Sequence, residues 1–165
     1  MATDGTRFTF TAGRNPDDAF AVVDFQLFQS YSSLYRLDLT LASSDPALEF
    51  KNILDLAGTL TIHEGDEIKR RVCGIVTFCE QGDTGKHQTI YHMTMHPEFW
   101  RSAQRQNCRS FQNYDIRFIF EKLLKEMRIH SHDALYRRPH PEREFCVQYQ
   151  ETDFDFIARL AAEEG

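Results

Sequence analysis

The chain has 165 residues, of which 41% are hydrophobic and 13% aromatic, and its net charge is −6. This composition provides ample side chains for a packed core and excludes a disordered chain. The negative charge argues against general nucleic-acid binding, which needs a basic surface. No apolar run is long enough for a membrane span, and the N-terminus lacks the features of a secretory signal. We therefore expect a protein that folds in the cytoplasm, without a membrane anchor.

Alternating apolar residues predict antiparallel β-strands in the first half of the chain. Alternation of this kind is typical of strands with one buried and one solvent-facing side. The clearest strands are the segments 21–27, "YRLDLTL" at 35–41 and "TIYHMTMH" at 89–96. The residues predicted to face the core are Val23, Phe25, Leu27, Tyr35, Leu37, Leu39, Leu41, Tyr91, Met93 and Met95.

Two features interrupt this β pattern. Asp45 and Pro46 predict a short helix over "SDPALEFKNILD" at 44–55, because aspartate is a favoured N-cap and proline fits the first helical position. Gly74, inside the strand "RRVCGIVTFC", indicates a bulge, a sharp bend or a close backbone approach. The first half therefore predicts a small antiparallel barrel or curled sheet with one inserted helix.

The pattern changes at Pro97, and this change predicts two parts. We expect a β-rich, barrel-like domain over residues 1–100 and an incomplete α/β segment over residues 101–165, an α+β fold overall. The strongest helix is "NYDIRFIFEKLLKEMR", followed by a strand at "EFCVQYQ" and a second helix opened by Thr152. The buried face of this last helix is predicted to consist of Phe154, Ile157 and Ala161, with Phe156 and Leu160 beside them.

The four cysteines form no CxxC pair. Cys73 and Cys79 are predicted to share one face of a strand, roughly 20 Å apart, which is too far for a disulfide. We therefore interpret all four as buried free thiols.

Three clusters could serve as enzyme sites. His130, His132 and Asp133 could bind zinc or iron, and would support a small metal-dependent hydrolase or effector. A second set, Glu151, Asp153 and Asp155, has spacing suited to a hard cation. In the third, a cysteine nucleophile would pair with a histidine base. The histidines considered for that role are His63, His87, His92 and His96.

Simpler interpretations account for each cluster. His130 and His132 lie in a polar loop with no matching pair of ligands elsewhere. Asp153 and Asp155 occupy the first turn of a helix, where capping and the helix dipole favour carboxylates. Arg101, Arg105 and Arg109 could form a polyanion site, but charges on polar faces are usually solvated. The sequence contains no GxSxG, HExxH or phosphate-binding glycine loop. We therefore predict no catalytic, metal-binding or cofactor-binding residues, no cofactor and no enzyme activity.

Four segments, taken together, resemble a known family. They are "GIVT" from Gly74, "YHMTMHPEFW" ending at Trp100, "NCRSFQ" from Asn107 and "FCVQYQETDFDFIARLAAEEG" from Phe145. In this order they resemble the N-terminal part of VgrG proteins, the trimeric spike proteins of bacterial type VI secretion systems. Ser110, Ala161 and Ala162 depart from the family pattern.

The resemblance implies a structural protein similar to the hub of contractile phage tails. Its implied partners are two further copies in a homotrimer, the Hcp tube rings, baseplate components and effector or adaptor proteins. It implies assembly in the cytoplasm followed by translocation through the type VI secretion system of a Gram-negative bacterium. A hub protein of a contractile phage tail is the alternative.

The end of the sequence predicts a continuing chain. Gly165 stands where a helix usually turns into a following segment. Glu163 and Glu164 add negative charge to the helix end that is already negative, and nearby cationic groups could offset them. We therefore expect this chain to be part of a larger spike protein.

Overall fold

A computed structural model describes residues 5–129, 132, 136 and 138–164. The chain forms two compact units, Met1–Pro97 and Glu98–Gly165. The strands of the first unit are β1 (Thr6–Ala12), β2 (Ala21–Phe28), β3 (Arg36–Ser43), β4 (Ala57–Glu64), β5 (Glu67–Thr84) and β6 (Thr89–His96). The second unit contains a 3₁₀ segment (Glu98–Gln104), β7 (Gln106–Phe111), α1 (Ile116–Glu126), β8 (Cys146–Thr152) and α2 (Asp153–Glu164).

The first unit is a closed antiparallel barrel with the strand order β1-β2-β3-β6-β5-β4. The predicted barrel is therefore confirmed. Its interior is filled from every second residue of the strands, as the alternation in β3 and β6 predicts. Leu39 lies opposite Met93 in the register, and both are buried. Each fully buried side chain of this size contributes about 1.5–3 kcal/mol through removal of apolar surface from water.

Two bulges change which residues face the core. A bulge between Val22 and Asp24 turns Val23 outward, where it is 59% exposed, so its predicted burial is wrong. A second bulge, between Val76 and Phe78, adds one residue to β5 and reverses the alternation that follows it.

The second bulge also separates two cysteines that were predicted to share a face. Cys73 is exposed, whereas Cys79 packs partly against the core, and burial raises the pKa of the Cys79 thiol to about 11. All four cysteines are free thiols, as predicted. The prediction that all are buried is wrong, since Cys108 is also exposed and only Cys146 is fully buried.

The prediction of a helix over residues 44–55 is wrong, because only a 3₁₀ turn at Phe50–Asn52 forms. Asp45 does begin a turn, since its Oδ1 accepts a hydrogen bond from the Ala47 amide at 2.8 Å. The Tyr91 hydroxyl, however, donates to the Asp45 carbonyl at 2.9 Å. That carbonyl would otherwise accept the first bond of a helix. The segment instead inserts Ile53, which is fully buried, into the barrel core.

Gly74 marks a close approach of backbones, one of the three predicted alternatives. A Cβ atom at this position would overlap the His96 carbonyl oxygen and the Tyr35 hydroxyl. That hydroxyl donates a hydrogen bond to the Cys73 carbonyl, and burial, together with the nearby Cys73, raises the pKa of Tyr35 to about 12. Only glycine fits where β5 passes both groups.

The core of the second unit lies between the two helices and the two-stranded sheet β7–β8. Asp115 begins α1 by accepting a hydrogen bond from the Phe118 amide at 2.8 Å, and Ile116, Ile119 and Leu123 of this predicted helix are buried. Phe111 of β7 stacks on Phe156 of α2, with ring centroids 5.8 Å apart. The buried face of α2 differs from the prediction, because Ala161 is exposed. That face consists of Asp153, Phe156, Ile157 and Leu160.

None of the helices in the described part of the chain is long and apolar enough to cross a membrane.

We predict that Gly74→Ala destabilises the barrel by about 1–3 kcal/mol, because overpacking against a backbone carbonyl forces the strands apart. Gly5→Ala is the matched control, since nothing lies within 4 Å of a Cβ atom there. Urea unfolding followed by far-UV circular dichroism should show a lower midpoint for Gly74→Ala only. Equal midpoints for the two variants would contradict the close approach.

Candidate interaction surfaces and the buried Asp153 network

A buried carboxylate organises the second unit. Asp153, the first residue of α2, has no exposed surface. Its Oδ1 accepts hydrogen bonds from Arg109 Nη2 at 2.6 Å, Gln148 Nε2 at 2.8 Å and Asn107 Nδ2 at 3.1 Å. Its Oδ2 has no hydrogen bond, but Arg105 Nε lies 3.5 Å away. The network thus joins both strands of the sheet to the beginning of α2.

The hydrogen bonds keep this carboxylate charged. Burial alone raises the pKa of Asp153, but the bonds from Gln148, Asn107 and Arg109 outweigh it and hold the pKa below its usual value. Arg109 also donates to Gln148 Oε1 at 2.8 Å and to Glu126 at the end of α1 at 2.6 Å. The charge is therefore compensated within the unit.

This network corrects the interpretation of Asp153 as a capping residue. The capping role belongs to Thr152 and Asp155. Thr152 Oγ1 accepts a hydrogen bond from the Asp155 amide at 3.0 Å and donates to the Asp155 carboxylate at 2.6 Å. Asp155 remains exposed, whereas Asp153 points into the core.

Sequence reasoning missed Asn107 and Gln148 as partners of Asp153. A signal was present, because "NCRSFQ" supplies Asn107 and Arg109, and "FCVQYQETDFDF" supplies Gln148 and Asp153. Two of the four segments that carry the family resemblance thus meet at one carboxylate. Their spacing in the sequence does not reveal this contact, because Asn107 and Asp153 are 46 residues apart.

The carboxylate set proposed for a hard cation does not come together. Asp153 is bound to Arg109, Asp155 to Thr152, and Glu151 pairs with Arg159 at 2.7 Å. Within residues 5–129, 132, 136 and 138–164, no group of three histidine, cysteine, aspartate or glutamate side chains could hold a metal ion.

The other proposed metal cluster is described only at His132, which is exposed. His130 and Asp133 lie outside the described residues, so the metal-site alternative stays a hypothesis there.

The histidines considered as bases contact hydroxyl groups. His63 lies 3.2 Å from Thr9 Oγ1, and His92 lies 3.4 Å from Thr40 Oγ1. His96 lies 2.8 Å from Thr77 Oγ1, and burial, followed by the effect of Arg36, lowers its pKa. His87 lies in the β5–β6 turn. These contacts are those of ordinary surface and rim residues of a barrel.

Two of the three arginines considered for a polyanion site are used inside the unit. Arg109 binds Asp153 and Glu126, and Arg105 lies 3.5 Å from the Asp153 carboxylate. Their charges are thus compensated by carboxylates rather than displayed as a basic patch.

The two glutamates at the end of α2 have cationic partners nearby, as the sequence suggested. Arg143 binds Glu163 and Glu164 at 2.6 Å each, and His140 Nδ1 lies 2.5 Å from Glu164 Oε2. These bonds lower the pKa of both glutamates. They offset the unfavourable charge at the negative end of the helix and attach the segment before β8 to α2.

The outward side of β8, together with the residue before it, carries three exposed apolar side chains. Phe145, Val147 and Tyr149 project from it and are 68%, 51% and 69% exposed, while Cys146 and Gln148 point into the core. Val147 lies opposite Ser110 of β7. We call Phe145, Val147 and Tyr149 the apolar row. A row of this kind on a two-stranded sheet is typical of a surface that another chain segment covers.

The barrel carries a second candidate surface, a shallow polar groove of about 270 Å³ on the outer side of β2, β3, β6 and β5. Asp24 and Asp38 line it together with Thr40, His92 and Phe78. Phe78 is 48% exposed. Both candidate surfaces are suited to recognition of another protein.

We predict that Asp153→Ala lowers the free energy of unfolding of the second unit by about 3–5 kcal/mol, because it removes the carboxylate that accepts hydrogen bonds from the partly buried Arg109 and the buried Gln148. Asp155→Ala, two residues away, should cost only about 1 kcal/mol, as the loss of a cap does. The single tryptophan, Trp100, lies in this unit and reports its unfolding by fluorescence. Equal losses in the two variants would show that Asp153 acts only as a cap.

The network also predicts a pH dependence. Because the pKa of Asp153 is lower in the folded state, its stabilising effect is complete above the unfolded value of about 3.9 and is lost as the pH falls through the folded value. The difference in unfolding free energy between the natural chain and Asp153→Asn should therefore shrink below about pH 4. A difference that stays constant down to about pH 2 would contradict an ionised Asp153.

Comparison with known proteins identifies the relatives of this fold. Type VI secretion system spike protein VgrG2b of Pseudomonas aeruginosa is 37% identical over 159 residues, which are 96% of this chain and 16% of that protein. Spike protein VgrG3 of Vibrio cholerae is 38% identical over 135 residues, 82% of this chain and 13% of that protein. Actin cross-linking toxin VgrG1 of Vibrio cholerae is 40% identical over 79% of this chain and 12% of that protein.

Solved structures share the fold. The c3393 protein of Escherichia coli, a component of the type VI secretion system, matches 96% of this chain and 43% of its own with a TM-score of 0.74 at 23% identity. The 43 kDa tail protein of prophage MuSo2 from Shewanella oneidensis matches 96% of this chain and 48% of its own with a TM-score of 0.62 at 14% identity. The family model for the phage tail baseplate hub (GPD) matches residues 29–165. The chain therefore belongs to the phage tail baseplate hub family, and the VgrG spike proteins of type VI secretion systems are its homologues.

Proposed function

We propose that this chain is the N-terminal hub portion of a type VI secretion spike, with a structural and not a catalytic role. The observation that carries the proposal is the family match over residues 29–165, joined to a surface suited to protein contacts. The chain spans only 12–16% of the length of the relatives named above, so the activity of a whole spike remains part of the proposal.

In this proposal the protein works as a homotrimer. Three copies form a platform that sits on the Hcp tube rings, contacts baseplate components and carries effector or adaptor proteins. Assembly takes place in the cytoplasm, and the spike is then translocated out of a Gram-negative cell. Such a role depends on the area and symmetry of contacts and does not need a reactive group.

The architecture supports this role. Each unit has its own closed core, and the barrel is held by a complete ring of strands without an open edge in its order. The strands β3, β4, β5 and β6 are each paired along both sides, so none of these four can separate without breaking two ladders of hydrogen bonds, and Thr9 of β1 pairs with Ala21 of β2 to close the ring. The exposed apolar row then offers contact area to a partner.

A hub of a contractile phage tail is the second candidate. It is favoured by the match to the Shewanella prophage tail protein, which covers 96% of this chain, the same share as the type VI protein covers. The two candidates share the hub role and differ in the machine that contains it.

A chimera tests the proposed function. This chain replaces the corresponding N-terminal part of VgrG2b in Pseudomonas aeruginosa, and secretion of the chimera into the medium is measured by immunoblot. We expect secretion that depends on an active type VI system. Asp153→Ala in the chimera is the control that should abolish secretion by unfolding the second unit. A chimera that folds and accumulates in the cell but is never secreted would contradict the proposal.

The apolar row gives a sharper prediction. Val147→Thr with Tyr149→Ser should change the stability of the isolated chain by less than about 0.5 kcal/mol, since both side chains face solvent. The same pair of substitutions in the chimera should reduce secretion, because the row is covered in the assembled spike. Substitution of the exposed Glu121 and Lys125 on α1 by alanine is the control. Undiminished secretion of the double variant would show that the row has no role in assembly.

A further inference from the structure

The polar groove on the barrel is shaped by a bulge in each of its two walls. In β2, the bulge lies between Val22 and Asp24, and the register after it pairs Asp24 with Thr40. A regular strand continuing from Val22 would place Val23 opposite Thr40 and would turn Asp24 toward the core. The bulge thus brings a carboxylate to the outer side of the barrel, where it lines the groove.

The bulge in β5 has the same effect on the opposite wall. A regular strand continuing from Val76 would place Thr77 opposite Thr94, and Phe78 would then face the core. The bulge instead pairs Phe78 with Thr94, and Phe78 lines the groove and is 48% exposed. The strands between the two walls, β3 and β6, pair without a bulge. Bulges are common beside functional sites because they re-aim side chains, and here two of them serve one groove.

Two carboxylates line the groove, and only one of them is neutralised within the chain. Asp38 Oδ2 binds the Arg36 guanidinium, with Nη2 at 2.5 Å, and Asp38 Oδ1 accepts a hydrogen bond from Thr94 Oγ1 at 2.9 Å. Asp24 is exposed and has no cationic partner among the residues that the structure describes. The charge of Asp24 is therefore available to a ligand.

The groups around Asp24 suit an organic cation. Thr40 lies opposite Asp24 on β3, and Gln26 lies two residues further along β2, so a hydroxyl and an amide oxygen can accept further hydrogen bonds. In the described part of the chain, no three side chains are placed to hold a metal ion. A guanidinium group brings one positive charge and five N–H donors, and it thus matches one carboxylate that is surrounded by neutral acceptors.

The same barrel already holds one guanidinium group with a carboxylate and an aromatic ring. Arg36 places Nε at 2.9 Å and Nη2 at 2.5 Å from Asp38 Oδ2, and its Cζ atom lies 5.2 Å from the centre of the Phe28 ring. The groove offers a second carboxylate, Asp24, and a second exposed aromatic ring, Phe78. Arginine is the cation that most often combines these two kinds of contact.

The size of the groove indicates a side chain rather than a whole molecule. Its volume of about 270 Å³ is below the range of about 300–1,000 Å³ that is typical of pockets enclosing small molecules. One long side chain fits such a space while the rest of the ligand remains outside. An extended segment of another protein provides this arrangement, and Phe78 then offers an apolar surface to a neighbouring residue of the segment.

We propose that the polar groove binds an arginine side chain from an extended segment of a different protein. The guanidinium group pairs with Asp24 and donates hydrogen bonds to Thr40 and Gln26, while an apolar residue of the same segment covers Phe78. The inference goes beyond the hub role, because it assigns a partner of defined chemistry to a surface on which that role places no requirement.

Selection from a library of random octapeptides displayed on phage tests the inference without assuming a sequence. The natural chain, the variant Asp24→Asn and the control Asp66→Asn are immobilised in turn. Both aspartates are exposed and both variants change the net charge equally, but Asp66 lies in the β4–β5 turn, outside the groove. We expect the peptides retained by the natural chain and by the control to be enriched in arginine, and we expect no enrichment with Asp24→Asn.

A selected peptide labelled with fluorescein then gives affinities by fluorescence anisotropy. Asp24→Asn should weaken binding at least about tenfold, because a charge-assisted pair is lost, whereas Asp66→Asn should change it by less than about twofold. Phe78→Ser should weaken binding at least about threefold through lost apolar contact. Citrulline in place of the peptide's arginine keeps the shape without the charge and should weaken binding at least about tenfold. N-acetylarginine amide should bind at least about tenfold more weakly than the peptide, since it lacks the segment.

The inference is overturned if no peptide is retained, if the retained peptides show no excess of arginine, or if Asp24→Asn binds them like the control. Equal affinities for the peptide and for N-acetylarginine amide would overturn the assignment to a protein segment. These measurements use the full chain and do not involve secretion, so the chimera judges the proposed hub function separately.

Discussion

Burying the Asp153 carboxylate in the second unit carries an electrostatic cost that only charged and polar partners can offset. Arg109, Gln148 and Asn107 supply those partners from the two strands of the sheet. Removing any one of them leaves buried polar groups unsatisfied, so the strands and the beginning of α2 can take only one mutual arrangement. The exposed apolar row on the other side of the sheet depends on this arrangement, because the same strands carry both.

Apolar packing holds the barrel together, whereas a polar network organises the second unit. The barrel interior is filled by alternating side chains, and a closed ring of strands removes the exposed edges that invite aggregation. Bulges in β2 and β5 then decide which side chains reach the outer surface. The bulge after Val76 places Phe78 and Glu80 on the outer surface, where Phe78 lines the polar groove. A local irregularity of the backbone thus sets the chemistry of a surface.

For the proposed hub role, the packed barrel interior and the polar network of the second unit are complementary. Interiors without voids give rigid bodies, whereas recognition depends on the rows of side chains that the strands present outward. Charge compensation also stabilises the end of α2. There Arg143, from the segment before β8, pairs with Glu163 and Glu164. Structural roles of this kind need no perturbed catalytic group. Hydrogen bonds outweigh burial and lower the pKa of Asp153, whereas burial raises the pKa of Tyr35.

The sequence by itself determined the barrel, the helix α1 and the family. Strict alternation in β3 and β6 and helical spacing in α1 are local patterns, and each reports directly on which side of an element is buried. The same local reasoning failed where a distant residue decided the outcome. The Tyr91 hydroxyl binds the Asp45 carbonyl, and the segment in which local signals favour a helix forms only a 3₁₀ turn.

Only the tertiary structure decided the face of Val23 and the role of Asp153. A one-residue bulge reverses the alternation, and nothing in a single strand marks its position. Asp153 and Asp155 are the same residue type in the same helical turn. Their roles differ because Asn107 and Arg109, which lie 46 and 44 residues before Asp153, bind Asp153 and not Asp155. The sequence supplies the carboxylate and its partners, but their meeting is a property of the fold.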